Sequence, residues 1–146
     1  MGSLDYSTVF LRLGAAVAVG ALIGLDRERR GKPAGLRTVA LVSLGSAVFV
    51  LSAAGASGTA GLDATSRVIQ GIITGVGFLG AGSIIRGQTE ESVKGLTTAA
   101  SVWLAAAAGV ACGLAQWPLV VAASGFGVLI LVLDPFERWL NRRFDG

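Results

Sequence analysis

Histidine is absent from this chain, and there is one cysteine, Cys112, and one methionine in 146 residues. Without histidine the common zinc sites and every His-based catalytic triad are excluded. A single cysteine excludes a disulfide framework and any multi-cysteine metal cluster. Charge is scarce as well. Asp, Glu, Lys and Arg together make up 14% of the chain, against about 25% in soluble domains. A small soluble domain has much surface to cover and needs a polar coat that these residues cannot supply. Disorder is excluded from the other side, because it requires low hydrophobicity and high charge. What the chain has instead is 53% hydrophobic residues, 22 glycines and a mean hydropathy of +0.71. The net charge of +3 fits Lys and Arg clustered beside membrane spans better than a nucleic-acid surface, so no nucleic-acid partner is expected.

Five apolar runs predict five transmembrane helices, at residues 9–25, 38–54, 68–85, 97–115 and 117–133. Their lengths of 17 to 19 residues lie at the short end of the ~17–25 needed to cross the hydrocarbon. The alternation of a membrane β-barrel is missing. Connections at 26–37, 55–67, 86–96 and the single residue Gln116 are short, so consecutive spans are antiparallel neighbours. Pro118 falls in the first turn of the fifth helix, where its missing N–H costs nothing. The eight residues before the first span carry no basic residue and do not read as a cleaved signal peptide. The fold class is an all-α membrane protein, one domain over residues 1–146, packed as a compact five-helix bundle.

Lys and Arg give the orientation. Arg27, Arg29, Arg30, Lys32, Arg37, Arg86, Lys94, Arg138, Arg142 and Arg143 fall on one side, and only Arg12 and Arg67 on the other. Ten against two predicts N-out/C-in. The 135–146 tail interleaves Phe136, Trp139, Leu140 and Phe144 with arginines. It is either an interfacial amphipathic helix meeting anionic lipid or a continuation of the fifth helix with snorkelling anchors.

Glycine is concentrated in the third span at Gly71, Gly75, Gly77, Gly80 and Gly82. Gly75, Gly77 and Gly80 spell a G-x-G-x-x-G. The dinucleotide fingerprint needs a preceding strand and an acidic residue about 20 positions on, and position 100 is alanine. Spacings of four favour close helix packing through small residues, with Gly75 facing a neighbour at close range. Gly20 and Gly24 make a similar pair in the first span, and Thr97, Ser101, Ala105, Gly109 and Cys112 form a small stripe on the fourth.

Ionisable residues at span ends are the functional candidates, Asp26, Arg37, Arg67 and Asp134, together with Thr97 at the head of the fourth span. An Asp26–Arg37 pair across the first loop would pin the hairpin. Alternatively, Asp26 is an oxygen ligand or proton acceptor at the inner mouth. It is the one candidate metal ligand, since hydrated Mg²⁺ needs only one or two carboxylates. No nucleophile–base pair, phosphate loop or metal cluster is present, so no enzyme activity is expected.

The strings GALIGLDRERRGKPAGLRTVALVSLGSAVFVLS (20–52), GVGFLGAGSIIR (75–86) and GLTTAASVWLAAAAGVACG (95–113) resemble the MgtC/SapB family of bacterial inner-membrane proteins, in order and over nearly the whole chain. The resemblance implies a multi-pass protein of the bacterial inner membrane with a role in magnesium homeostasis and adaptation to low Mg²⁺. For virulence-associated relatives it implies inhibition of the F-type ATP synthase, hence a membrane-protein partner. It places the family's first-loop acidic residue on Asp26, its AGLRT arginine on Arg37, its GFLGAG motif on Gly77 to Gly82 and its pre-span arginine on Arg67. Two positions depart from the virulence-associated members, which carry Asn and Cys where this chain has Thr97 and Leu104; the departures bear on the virulence role and leave the shared architecture intact. Long members continue into a cytoplasmic α/β domain, for which the 13 residues after Leu133 are too few. The expected mode of action is interaction within the bilayer, with a membrane protein or a second copy of the chain. The alternative is a transporter or channel for Mg²⁺ or another cation. No bound cofactor is expected other than Mg²⁺ itself.

Overall fold

Helical phase sets which face of each segment is buried, and small residues set how close the segments come. A computed structural model describes residues 5–54, 59–86 and 93–133. The described chain forms α1 (Tyr6–Arg29), α2 (Leu36–Ala54), α3 (Thr59–Gly82), α4 (Leu96–Gly113) and α5 (Trp117–Val132). One two-residue antiparallel pair, β1 (Ile85–Arg86) with β2 (Val93–Lys94), joins α3 to α4. The predicted all-α architecture is therefore observed. Asp134 and the 135–146 tail lie outside the described residues.

Three helices, α1, α2 and α4, are long and apolar enough to cross a membrane. The apolar helix α5 has 16 residues, about 24 Å, against a hydrocarbon core of about 30 Å. Helix α3 differs most from expectation. It begins at Thr59 and ends at Gly82, whereas the sequence predicts a span over 68–85. Its first turns hold Asp63, Thr65, Ser66 and Arg67, polar residues that read as loop but tolerate a helix. Its last turn tightens where Ser83 donates to the Gly80 carbonyl from both its amide (3.0 Å) and its hydroxyl (2.7 Å).

Helix α1 buries Ala16, Gly20, Ile23, Gly24 and Arg27, positions that a 3.6-residue period places on one face. This face meets α2. A methyl group added at Gly20 would lie 2.8 Å from Ala40 Cα and from Ser43 Cβ, and one added at Gly24 would lie 2.7 Å from Leu36 Cα. From the other side α4 closes on the same helix: a methyl at Gly109 would overlap the Ser43 carbonyl, and one at Gly113 would lie 3.0 Å from the Ala47 carbonyl. Ser43 is thus enclosed between two glycines, with no exposed surface. Among the described residues its hydroxyl finds no hydrogen-bond partner.

Two apolar clusters tie α5 to this core. Ala16, Ala47, Ala111, Cys112 and Val120 meet near one end, and Ile23, Val39, Ala105 and Leu131 near the other. Helix α4 turns into α5 through a tight C-cap. Ala115 adopts φ 56°, its amide bonds the Cys112 carbonyl (3.0 Å), and the Gln116 amide bonds the Ala111 carbonyl (2.9 Å), the bonds of a Schellman motif. Helix α3 lies at the periphery, docked through Val76 against Val102 and Ala106 with Val42 and Ile72 alongside.

This docking overturns the packing role expected for most α3 glycines. Gly71, Gly75, Gly77 and Gly82 have no atom within 4 Å of an added methyl, and only Gly80 has a neighbour, Ala99 at 3.4 Å. Gly75 therefore does not face a helix at close range. The β-branched side chains of Val42, Ile72 and Val76 hold α3 away from α2, so the glycines beside them border open space.

Gly109→Ala should lower stability by about 1–3 kcal/mol, because the added methyl must part α2 from α4. Gly75→Ala, with open space and better helix propensity, should be neutral or slightly stabilising. Thermal melting in detergent reads both, and equal losses would contradict the packing described. Ser43→Ala removes an unsatisfied buried hydroxyl at constant shape and should raise stability by about 1 kcal/mol in the same assay.

Candidate functional site

The connection between α1 and α2 is short, basic and held by several independent bonds. Helix α1 ends in a Schellman motif: the Gly31 amide bonds the Glu28 carbonyl (3.0 Å) and the Lys32 amide bonds the Arg27 carbonyl (3.0 Å). Gly31 takes φ +60°, where a side chain would cost about 1–2 kcal/mol. Glu28 reaches across the turn, and its Oε2 accepts the Leu36 amide at 3.1 Å. That amide opens α2 and has no acceptor within its own helix, so a carboxylate from α1 caps α2. The carboxylate lies over Gly35, where a methyl would overlap it and the flexible Glu28 side chain would have to shift.

Asp26 pairs with Arg30 through Nε–Oδ1 at 2.9 Å. The Asp26–Arg37 pair expected from the sequence is replaced by this one. The reason is helix length: α1 runs on to Arg29, which places Asp26 and Arg30 one turn apart on a single face. Arg37 becomes the second residue of α2 and is exposed. Arg67 is exposed on α3, so the structure does not bring Asp26, Arg37 and Arg67 together.

The residue that sequence reasoning passed over is Arg27, which counted only as part of the basic loop. It is 2% exposed, and its Nη2 donates to Thr98 Oγ1 on α4, itself 1% exposed. Thr97, the expected candidate, is exposed and faces away; its carbonyl accepts the Ser101 hydroxyl at 2.7 Å. The signal for Arg27 was in the periodicity. Positions 20, 24 and 27 share a helix face, so the glycines that admit α2 also direct Arg27 inward. Leu104, the other departure from the virulence-associated pattern, packs against α5 at Gly127, where a methyl would overlap it.

A second arginine mirrors the first. Near the start of α1, Arg12 Nη1 donates to the Gly113 carbonyl at 2.9 Å, placing a cation at the C-terminus of α4. Arg12 and Arg27 are fifteen residues apart on α1, and Gly113 and Thr98 are fifteen apart on α4. Antiparallel α1 and α4 are thus latched at both ends, about 22 Å apart.

Chemically, the loop end of the bundle presents Arg29, Lys32 and Arg37 to the exterior above the buried Arg27. Such a rim attracts anionic groups, lipid headgroups included. Both nearby carboxylates are engaged, Asp26 by Arg30 and Glu28 by the Leu36 amide. Among the described residues no three His, Cys, Asp or Glu side chains come together as a metal cluster.

Thr98→Val removes a buried acceptor from a charged donor and should cost about 1.5–3 kcal/mol. Thr97→Val, at an exposed position one residue away, should stay within about 0.5 kcal/mol. Melting curves of the two variants in detergent separate the faces, and a larger loss at position 97 would misplace the latch.

Comparison with known proteins places this arrangement. The family model described as MgtC family matches residues 13–139. SrpB of Synechococcus elongatus is 43% identical over 97% of this chain and 84% of its own length. MgtC of Salmonella typhimurium is 48% identical over 92% of this chain and 54% of its own length. YhiD of Escherichia coli K12, whose name provisionally assigns it as a magnesium transporter, is 42% identical over 89% of this chain and 62% of its own length. The chain thus spans about half the length of MgtC and most of SrpB. No solved structure matches it. The matched residues include both partners of the Arg27–Thr98 latch, Asp26, Arg37 and all of α2 to α5, and the chain belongs to the MgtC family.

Proposed function

We propose that this protein serves magnesium homeostasis in a bacterial inner membrane by contact with other membrane proteins, and not as an enzyme or an ion conduit. The magnesium role follows from the relatives named MgtC and YhiD. The F-type ATP synthase is the partner to which the family resemblance points. All five helices cross or enter the bilayer in this reading, with the basic loop end in the cytoplasm, as the distribution of Lys and Arg favours.

The observation that supports contact over conduction is the buried Arg27 between α1 and α4. A divalent cation about 5 Å from a guanidinium is repelled by about 7 kcal/mol at an effective dielectric of about 20. A path along the α1–α4 interface would have to pass that charge. Among the described residues, the other buried polar side chains of this core are Ser43, Ser46, Thr98 and Ser101, which carry no negative charge to offset it. The transporter reading keeps two supports: the name of YhiD, and Asp26, which is partly exposed at the same end and could meet hydrated Mg²⁺ if it left Arg30.

The deciding experiment has two arms. Wild-type protein in liposomes loaded with a Mg²⁺-sensitive dye should show no flux above empty liposomes. Asp26→Asn, expressed in a deletion strain at limiting Mg²⁺, should fail to restore growth at normal membrane levels, because the loop geometry that Asp26 and Arg30 hold is part of the contact surface. Protein-dependent flux would transfer the function to transport. Full complementation by the Asn variant would reduce Asp26 to a pair worth about 0–1 kcal/mol.

A further inference from the structure

Two of the α3 glycines that meet no neighbour, Gly71 and Gly75, border a groove of about 740 Å³ between α2 and α3. On α2 it runs from Thr38 to Phe49, and on α3 from Leu79 back to Val68. Gly45, Gly71 and Gly75 line its length, each with no atom within 4 Å of an added methyl. Its walls are otherwise almost all aliphatic, and the hydroxyl of Ser46, which lies among them, is already bonded to the Val42 carbonyl at 2.9 Å. Apart from Thr38 at the Arg37 end of the groove, no polar side chain along the walls is left to call for a polar occupant.

Length and charge identify the occupant. The eleven helical rises from Thr38 to Phe49 span about 17 Å, roughly half of the ~30 Å hydrocarbon core. That is the depth of one leaflet. A spanning partner helix would need contact across both. The α2 lining recurs at positions 38, 41, 42, 45, 46 and 49, and Arg37 is one turn before Leu41, so it continues the same stripe beyond the end of the groove. Arg37 is exposed, as are Arg29 and Lys32 at that end of the bundle. Arg67 extends the α3 stripe in the same way at the opposite end, the sparsely basic side it shares with Arg12.

We propose that this groove holds one acyl chain of an anionic phospholipid whose headgroup phosphate meets Arg37. The apolar walls take the tail, and the basic rim selects the headgroup. The site does not depend on any role in magnesium homeostasis.

Native mass spectrometry of the detergent-purified protein, titrated with palmitoyl-oleoyl phosphatidylglycerol or phosphatidylcholine, tests it. Wild type should bind phosphatidylglycerol at least fivefold more tightly. Gly75→Leu fills the groove and should weaken that binding at least tenfold, while its melting temperature without added lipid stays at the wild-type value. Gly71→Leu is the second variant should the first fold poorly. Arg37→Gln should abolish the headgroup preference, and Arg67→Gln should keep it. Unchanged binding by both leucine variants would overturn the site, and so would equal wild-type affinity for the two lipids. A dimer lost in Gly75→Leu with lipid binding intact would overturn it too, assigning the groove to a second copy of the chain.

Discussion

The bundle depends on how closely α2 can be approached from both sides at Ser43. Gly20 brings α1 to its Cβ, and Gly109 brings α4 to its carbonyl. In lipid there is little hydrophobic drive between helices, so association rests on van der Waals contact between backbones. That contact decays within an ångström. A side chain at either glycine would therefore remove more than its own volume: it would part the helices along several turns. Ser43 itself carries a cost, an unsatisfied hydroxyl, which the surrounding contact offsets. The Arg12 and Arg27 bonds to α4 act at the two ends of this close zone and fix the register that the glycines need.

The distribution of side-chain size follows. Alanine, glycine, serine and Cys112 fill much of the interior, while Phe10, Leu41, Phe49, Phe78, Phe126 and Ile130 lie on the exterior. In water so large an apolar exterior would drive aggregation; in a bilayer it is the solvated surface. Helix α3 departs from the pattern, because Gly71 and Gly75 line a groove and the bulkier Val76 makes the contact. Whatever binds beside α3 does so without disturbing the α1–α2–α4 core.

Much of this was legible in the sequence. Hydropathy located all five helices, α3 with its start set nine residues late, since an apolar run of about 17 residues has few other uses. Spacing placed Gly20 and Gly24 on one face, and of the α4 stripe Ser101, Ala105, Gly109 and Cys112 are buried, while its first member Thr97 is exposed. Spacing failed on α3 for a physical reason. Two glycines four apart must share a face, but whether that face meets a helix depends on the side chains one position away, here Val42, Ile72 and Val76. Asp26 was misassigned because a run of charged residues was read as loop. Helices continue into water, and the Glu28 cap and Gly31 turn end α1 several residues past its last apolar position. Thr98 was missed by one position, which on a helix is a rotation of 100° and decides between core and exterior.

Charge at the loop end follows from these same constraints. Glu28 and Asp26 are the acidic side chains of the connection, and the geometry of the turn engages both: one caps α2 and the other pairs within α1. The arginines and the lysine there are therefore left largely uncompensated at the rim. Arg27 is drawn inward by the glycine face, Arg30 is paired, and Arg29, Lys32 and Arg37 remain outward. A protein holding three outward cations in one connection of an apolar bundle, with the exposed Lys94 at the same end, is oriented by such charge in the membrane. It also concentrates anionic groups there, within roughly a Debye length of 8 Å. The turn that secures the hairpin thus creates the surface that a lipid phosphate or an acidic partner would meet.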